Sequence, residues 1–181
     1  EISVVVPVHD EEANLPLLQR EIAVAMEALG RPYECVYVDD GSRDASLSVL
    51  LALRREDARI RVVEFARNAG QTAALAAGFD HARGRIVVTL DADLQNDPAD
   101  IPALVAKLEE GYDIVAGWRR KRHDGFVLRK LLSKLANRLI ALVTGVSIHD
   151  TGCTLKAFRA ELVRNLPIYA EQHRFLPAMS A

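Results

Sequence analysis

The strongest constraint on how this chain folds is its alternation of short β-branched runs with helix-length stretches, at steps of roughly 20 residues. Ile2–Val8 reads as a strand closed by Pro7 and the polar His9-Asp10-Glu11-Glu12. A helix is expected from about Asn14 to Leu29, stopping at Gly30. Tyr33–Val38 reads as the second strand and runs into Asp39-Asp40-Gly41-Ser42, with Ser42 or Asp44 able to cap a helix reaching about Arg55. Strand-like Ile60–Phe65 precedes an Ala-rich helix at Gln71–Ala82, and Arg85–Leu90 leads straight into Asp91-Ala92-Asp93. A further helix over about Ala99–Glu110 precedes a fifth strand at Tyr112–Ala116. Such an order implies an α/β fold, a mainly parallel sheet with helices on both faces. In these sheets ligands bind outside the carboxyl ends of the strands. The unusual polar clusters, His9–Glu12, Asp39–Asp40, Asp91–Asp93 and Arg119, all fall at those ends, so parallel strands would bring them to one rim.

At 181 residues, half of them hydrophobic and 27% charged, the chain is sized for one domain with a substantial core. A formal net charge of −2 argues against a general nucleic-acid binder, which carries a basic excess. Cys35 and Cys153, the only cysteines, make neither a disulfide framework nor a C-x-x-C pair, and Cys35 sits in an apolar run as a core thiol would. No stretch approaches the roughly 20 apolar residues of a membrane-spanning helix, and no signal-peptide pattern precedes the first strand. The expected setting is cytoplasmic and reducing. The sequence opens without Met and stops shortly after Phe175-Leu-Pro-Ala-Met, so the parent protein is expected to continue past Ala181.

Asp91-Ala92-Asp93-Leu94-Gln95 carries the most chemistry. Hard oxygen donors without His or Cys suit Mg²⁺ or Mn²⁺ rather than zinc or copper. A divalent ion there would bridge the phosphates of a nucleotide diphosphate and offset the charge that builds on the leaving group. Taken alone, the same residues also fit a solvated acidic loop after a strand. Asp39-Asp40-Gly41-Ser42 alone fits a turn with a helix cap, or a carboxylate that receives a base or ribose. A dinucleotide-binding reading fails, because the first strand ends in Pro-Val-His-Asp-Glu and no G-x-G-x-x-G loop follows it. His81, His123, His149 and His173 share no ligand spacing and read as structural or surface residues, and Trp118 reads as a packing residue or, from its place next to Arg119, a sugar platform.

Together these segments resemble the family 2 inverting glycosyltransferases of the GT-A (Rossmann-like) fold, most of all their polyprenyl-phosphate branch. The matching segments are Val5–Leu15, Val38–Asp44, Arg67-Asn-Ala-Gly-Gln71, Leu90–Gln95 and Asp150-Thr-Gly-Cys153, in the family's order along nearly the whole chain. The resemblance implies that Pro7, His9, Glu11, Val38, Asp40, Asp91, Ala92 and Asp93 line a nucleotide-sugar donor. It implies a metal, Mg²⁺ or Mn²⁺, on Asp91, Asp93 and Gln95. The family usually has Tyr-Asn where this chain has His9-Asp10.

After the fifth strand the chain turns basic at Arg119-Arg-Lys-Arg122, and an amphipathic helix is expected over about Leu128–Leu142. Its leucine face suits core packing, and its basic face also suits an anionic membrane surface or a lipid phosphate. In the polyprenyl-phosphate relatives an Arg after the fifth strand, and an Arg and a Ser one helical turn apart, meet the acceptor phosphate; Arg119, Arg129 and Ser133 match that pattern. The fork of donors on arginine pairs well with phosphate oxygens. The resemblance makes Asp150 the candidate base for a hydroxyl acceptor, whereas an ionised phosphate is already a nucleophile and leaves Asp150 an orienting role. Asp150 also fits a simple turn cap.

The expectation is a single catalytic domain over residues 1–181, cut before C-terminal membrane helices and working at the cytoplasmic face of a membrane. It would move a sugar from a UDP- or GDP-sugar to undecaprenyl or dolichyl phosphate. Two alternatives stand beside it: the same chemistry onto a glycan hydroxyl, and a non-catalytic nucleotide-sugar-binding module.

Overall fold

The computed structural model describes residues 1–117 and 153–165. These form a six-stranded sheet in the order β3-β2-β1-β4-β6-β5. Its strands are β1 (Ile2–Val8), β2 (Tyr33–Asp39), β3 (Ile60–Glu64), β4 (Ile86–Thr89), β5 (Ile114–Ala116) and β6 (Lys156–Arg159). The helices are α1 (Leu15–Leu29), α2 (Ser46–Glu56), α3 (Gln71–His81), α4 (Ile101–Glu109) and α5 (Ala160–Asn165). Strands β1 to β4 pair in parallel, while β6 lies antiparallel between β4 and β5. The expected α/β architecture is therefore present, with one antiparallel strand that the alternation did not announce.

Sequence periodicity explains the layers. In β1, Ile2, Val4, Val6 and Val8 pack with Leu15, Leu18, Ile22 and Met26 of α1 and with Ile101, Leu104, Val105 and Leu108 of α4. The intervening Val5 faces α3 and α5, packing with Ala74, Leu75, Phe79 and Val163. Period two on the strand thus meets a 3.6-residue period on the helices, and each face of the sheet is covered. Helix α1 ends where Gly30 takes a left-handed φ of 66° and donates to the carbonyls of Met26 and Glu27. Gly78 lets α3 approach the sheet, since a Cβ there would lie 2.3 Å from Cγ1 of Val5.

Strands β2 and β3 extend the sheet on one side of β1, and β4 on the other, so the strand order reverses between β1 and β4. The β1–β4 pairing runs only from Ile2–Ile86 to Val5–Thr89. Pro7, which has no N–H to donate, lies just past this last pair, where β1 and β4 diverge and no ladder bond is lost. This opening at the carboxyl ends is the topological switch point, the place where such sheets take ligands.

Candidate functional site

A cleft of about 320 Å³ opens between the tips of β1 and β4. Pro7, His9 and Glu11 line it from the first rim, Asp40 from the second, and Asp91, Ala92 and Asp93 from the fourth. Residues from three of the four clusters expected at separate strand ends are brought to one cavity. Asn68, Gly70 and Gln71, at the entry to α3, line it as well. Val38 does not: its side chain is fully buried among the residues packed under α3. Gln95 is exposed beside the cleft rather than within it. Arg119, Arg129, Ser133 and Asp150, like Trp118 and the helix expected at Leu128–Leu142, lie outside the described residues.

The first two rims are laced together by their polar side chains. The Asp10 amide donates to Oγ of Ser42, the Glu11 amide to Oγ of Ser46 and the Glu12 amide to Oδ2 of Asp44. In return Asp10 Oδ1 accepts from the Arg43 amide at 2.6 Å, and Glu12 Oε2 from the Ala45 amide at 2.6 Å. Asp10 adopts a left-handed φ of 56°, a conformation that Asp tolerates better than most residues. Ser42 and Asp44 are therefore occupied across the loop. The start of α2 at Ala45 carries no side-chain cap, although Asp44 Oδ1 accepts from the Ser46 amide next to it.

His9 is oriented by this lacing. Its Nδ1 lies 3.0 Å from the Asp40 carbonyl, which can only accept, so the ring proton sits on Nδ1. Its Nε2 lies 3.6 Å from the Asp10 carboxylate.

Asp40 is 3% exposed, and both its oxygens accept backbone amides, from Ala69 at 2.6 Å and Gly70 at 2.9 Å. It fixes the loop that follows β3 against the cleft. Gly41 makes that approach possible, with a φ of 63° and a position where a Cβ would lie 2.5 Å from the backbone carbon of Arg67. Asp39 turns to the other face, where its Oδ2 accepts from the Ser42 amide.

On the fourth rim, Asp91 Oδ1 accepts from Nε2 of Gln71 at 2.6 Å. Asp93 Oδ1 accepts from the Gln95 amide at 3.1 Å, closing a tight turn. Leu94 inside that turn has a φ of 59°, rarely seen for Leu and costing about 1–2 kcal/mol. The turn points Asp93 into the cleft while Leu94 packs on the core. Buried Asn96 donates to Oγ1 of Thr154 at 2.8 Å, and Thr89 donates to the Thr154 carbonyl at 2.7 Å. The acidic loop is thereby tied to the segment entering β6.

The described lining thus contains four carboxylates, Glu11, Asp40, Asp91 and Asp93, and neither lysine nor arginine. Asp91 and Asp93 are hard donors half-open to the cavity, which fits Mg²⁺ or Mn²⁺. No three His, Cys, Asp or Glu side chains among the described residues are grouped into a closed metal cage. A cation with one or two protein carboxylates that fills its shell with water and substrate phosphate needs no such cage.

A doubly wound sheet whose strand order turns at an open acidic cleft defines the class, an α/β domain with its ligand site at the switch point. The chain belongs to glycosyl transferase family 2, whose model matches residues 3–166. It is 47% identical over 183 residues to a dodecaprenyl-phosphate galacturonate synthase of Rhizobium johnstonii, covering 100% of this chain and 54% of that protein. An undecaprenyl-phosphate 4-deoxy-4-formamido-L-arabinose transferase of Shewanella sediminis is 45% identical over 180 residues, covering 99% and 54%. The chain spans about half the length of these curated relatives. Among solved structures, it resembles glucosyl-3-phosphoglycerate synthase from Mycobacterium tuberculosis in complex with Mn²⁺, UDP and phosphoglyceric acid. That match has a TM-score of 0.70 at 25% identity, covering 92% of this chain and 58% of that one. The GT-A-type sheet expected from the sequence is the one observed.

Sequence reasoning did not assign Asn68, Gly70 or Gln71 to the cleft. The signal was the Asn-Ala-Gly-Gln run at the end of a strand, and it gains meaning only once Gly41 brings that loop against the second rim.

Proposed function

We propose that this domain transfers a sugar from a UDP- or GDP-sugar to a polyprenyl phosphate by inverting displacement, with Mg²⁺ or Mn²⁺ held by Asp91 and Asp93. One observation carries the reading: four carboxylates and no lysine or arginine among the described residues of a cleft at the switch point. Beside these carboxylates a divalent cation would offset the charge of a diphosphate. The metal, when bound, supplies charge neutralisation for the departing nucleoside diphosphate. Gln95, outside the cleft, would complete the metal site only through its backbone or a small rotation of its exposed side chain.

The remaining roles fall to the chain's own groups. Pro7, Glu11, Val38, Asp40 and Ala92 shape the nucleotide's bed, and His9 offers its ring to a base. Arg119, Arg129 and Ser133 would receive the acceptor phosphate. Asp150 would orient that acceptor, or take a proton if the acceptor were a hydroxyl. An ionised phosphate oxygen attacks the anomeric carbon opposite the leaving diphosphate, which gives the inverted linkage. The relatives named for dodecaprenyl and undecaprenyl phosphate support the lipid acceptor, and with it work at a membrane surface. No helix of the described residues is long and apolar enough to cross a membrane. We read residues 1–181 as a single catalytic unit.

A binding panel of UDP-, GDP- and CDP-sugars with and without Mn²⁺, followed by transfer to undecaprenyl phosphate, tests the reading. A ligand that binds only the native state raises its melting temperature. The expected result is a Mn²⁺-dependent shift with a UDP- or GDP-sugar and product formation on the lipid. Transfer to a soluble saccharide with none to the lipid would replace the acceptor, and binding without any turnover would replace the enzyme.

A further inference from the structure

The geometry points to Gln71 as the positioning residue for Asp91, an inference that rests on the metal-dependent reading above. Gln71 is the first residue of α3, and its Nε2 donates to Asp91 Oδ1 across 2.6 Å, between residues 20 apart in sequence. The contact is short, as expected for a donor to an ionised carboxylate. The amide orientation is fixed by chemistry, because the opposite one would set Oε1 against the carboxylate.

The donor is held from behind. Asp40 grips the amides of Ala69 and Gly70, and Gly41 allows the backbone of Arg67 and Asn68 to settle on the second rim. Gln71 follows these anchors directly, so its side chain starts from a backbone that cannot drift. A continuous path therefore runs from Asp40 through residues 69–70 to Gln71 and on to Asp91. It joins the rim proposed for the nucleoside to the rim proposed for the metal. Asp40, with both oxygens on backbone amides, contributes to the second rim through this path.

The choice of amide also matters. An amide donor brings no charge of its own, whereas Lys or Arg in place of Gln71 would compete with a divalent cation. Outer partners of this kind typically tune metal affinity by about 10–100-fold.

The test is a Mn²⁺ titration of the full chain with UDP or GDP, followed by thermal shift, for wild type and Gln71→Ala. The expected result is a half-saturating Mn²⁺ concentration raised about 10–100-fold in the variant, with nucleotide binding restored to within about threefold of wild type at saturating Mn²⁺. An unchanged Mn²⁺ dependence overturns the inference. So does a loss of nucleotide binding that saturating Mn²⁺ does not restore, which would make Gln71 a direct nucleotide contact. If Gln71→Ala lowers the unliganded melting temperature too far to titrate, Gln71→Asn carries the test. It keeps the amide but shortens the arm by one methylene, and it must shift the Mn²⁺ dependence in the same direction. A wild-type protein that binds nucleotide without any Mn²⁺ effect overturns the parent reading, and that outcome is visible before any variant is made.

Discussion

The two ends of the sheet use carboxylates in opposite ways. At the amino end, Glu34 is 6% exposed and fully enclosed: Oε1 accepts from Ser3 Oγ and the Arg83 amide, each at 2.7 Å, and Oε2 meets Arg61 at 3.3 Å. Ser3 Oγ in turn accepts from the Gly84 amide. Burial pushes the Glu34 carboxyl upward, but Ser3, the Arg83 amide and Arg61 outweigh it and hold it below its ordinary value. At the carboxyl end, Asp91 Oδ1 accepts from the Gln71 side-chain amide and Asp93 Oδ1 from the Gln95 backbone amide, and both residues open onto a cavity. A carboxylate enclosed within the fold contributes stability, and one at the edge of a cavity can meet a ligand. The same residue type therefore marks structure at one end and a site at the other.

The largest effect should come from breaking the open end. Asp93→Ala is expected to lower transfer by roughly 10²–10³-fold, with the melting temperature within about 3 °C of wild type. A transfer rate within threefold of wild type would remove Asp93 from the site. The enclosed end should behave in reverse. Glu34→Ala is expected to cost about 3 kcal/mol, or about 9 °C, with nucleotide binding unchanged. Because the folded Glu34 value is depressed, its contribution is complete above the unfolded value near 4.3 and fades as pH falls through the lower folded one. Denaturant melts from pH 7 down to pH 3 should show a flatter acid limb in Glu34→Ala. An identical limb would end the contrast drawn here.

Gly41→Ala sharpens the comparison, because its Cβ would enter the backbone that Asp40 holds. A loss of roughly 2 kcal/mol is expected from the left-handed conformation and the displaced loop. Unlike Glu34→Ala, it should also weaken nucleotide binding, measured in the same melts with ligand added. The smallest effect is expected from Asp10→Asn. Asn Oδ1 can still accept from the Arg43 and Asp44 amides, so stability should stay within about 0.5 kcal/mol, whereas Asp10→Ala should lose about 1–2 kcal/mol.

Much of this was legible in the residues. The β-branched runs, the stop at Gly30 and the polar strand ends foretell the first four strands and their common rim, because each is a local signal with a short-range cause. Strand β6 was not legible. Lys156-Ala-Phe-Arg159 is too short to display a period, and its partners on β4 and β5 lie far away in sequence. The burial of Val38 was hidden for a related reason: which face of a strand tip meets the cleft depends on where α3 crosses, and Gly78 decides that crossing. Of the two caps expected, Asp44 still accepts from the Ser46 amide at the start of α2, while its other oxygen and Ser42 Oγ accept from the Glu12 and Asp10 amides, partners that only the adjacency of the first two rims supplies.

The antiparallel placement of β6 has its own consequence. Strand β5 runs toward the rim and β6 runs away from it, and the Gly117 amide meets the Leu155 carbonyl at 2.9 Å. Whatever lies between Gly117 and Cys153 leaves and rejoins the sheet through one narrow neck beside the cleft. Doubling the length of such an excursion adds only about 0.6 kcal/mol of closure entropy. A change in the length of that segment is therefore tolerated at small cost by strands β1 to β4 and their shared rim.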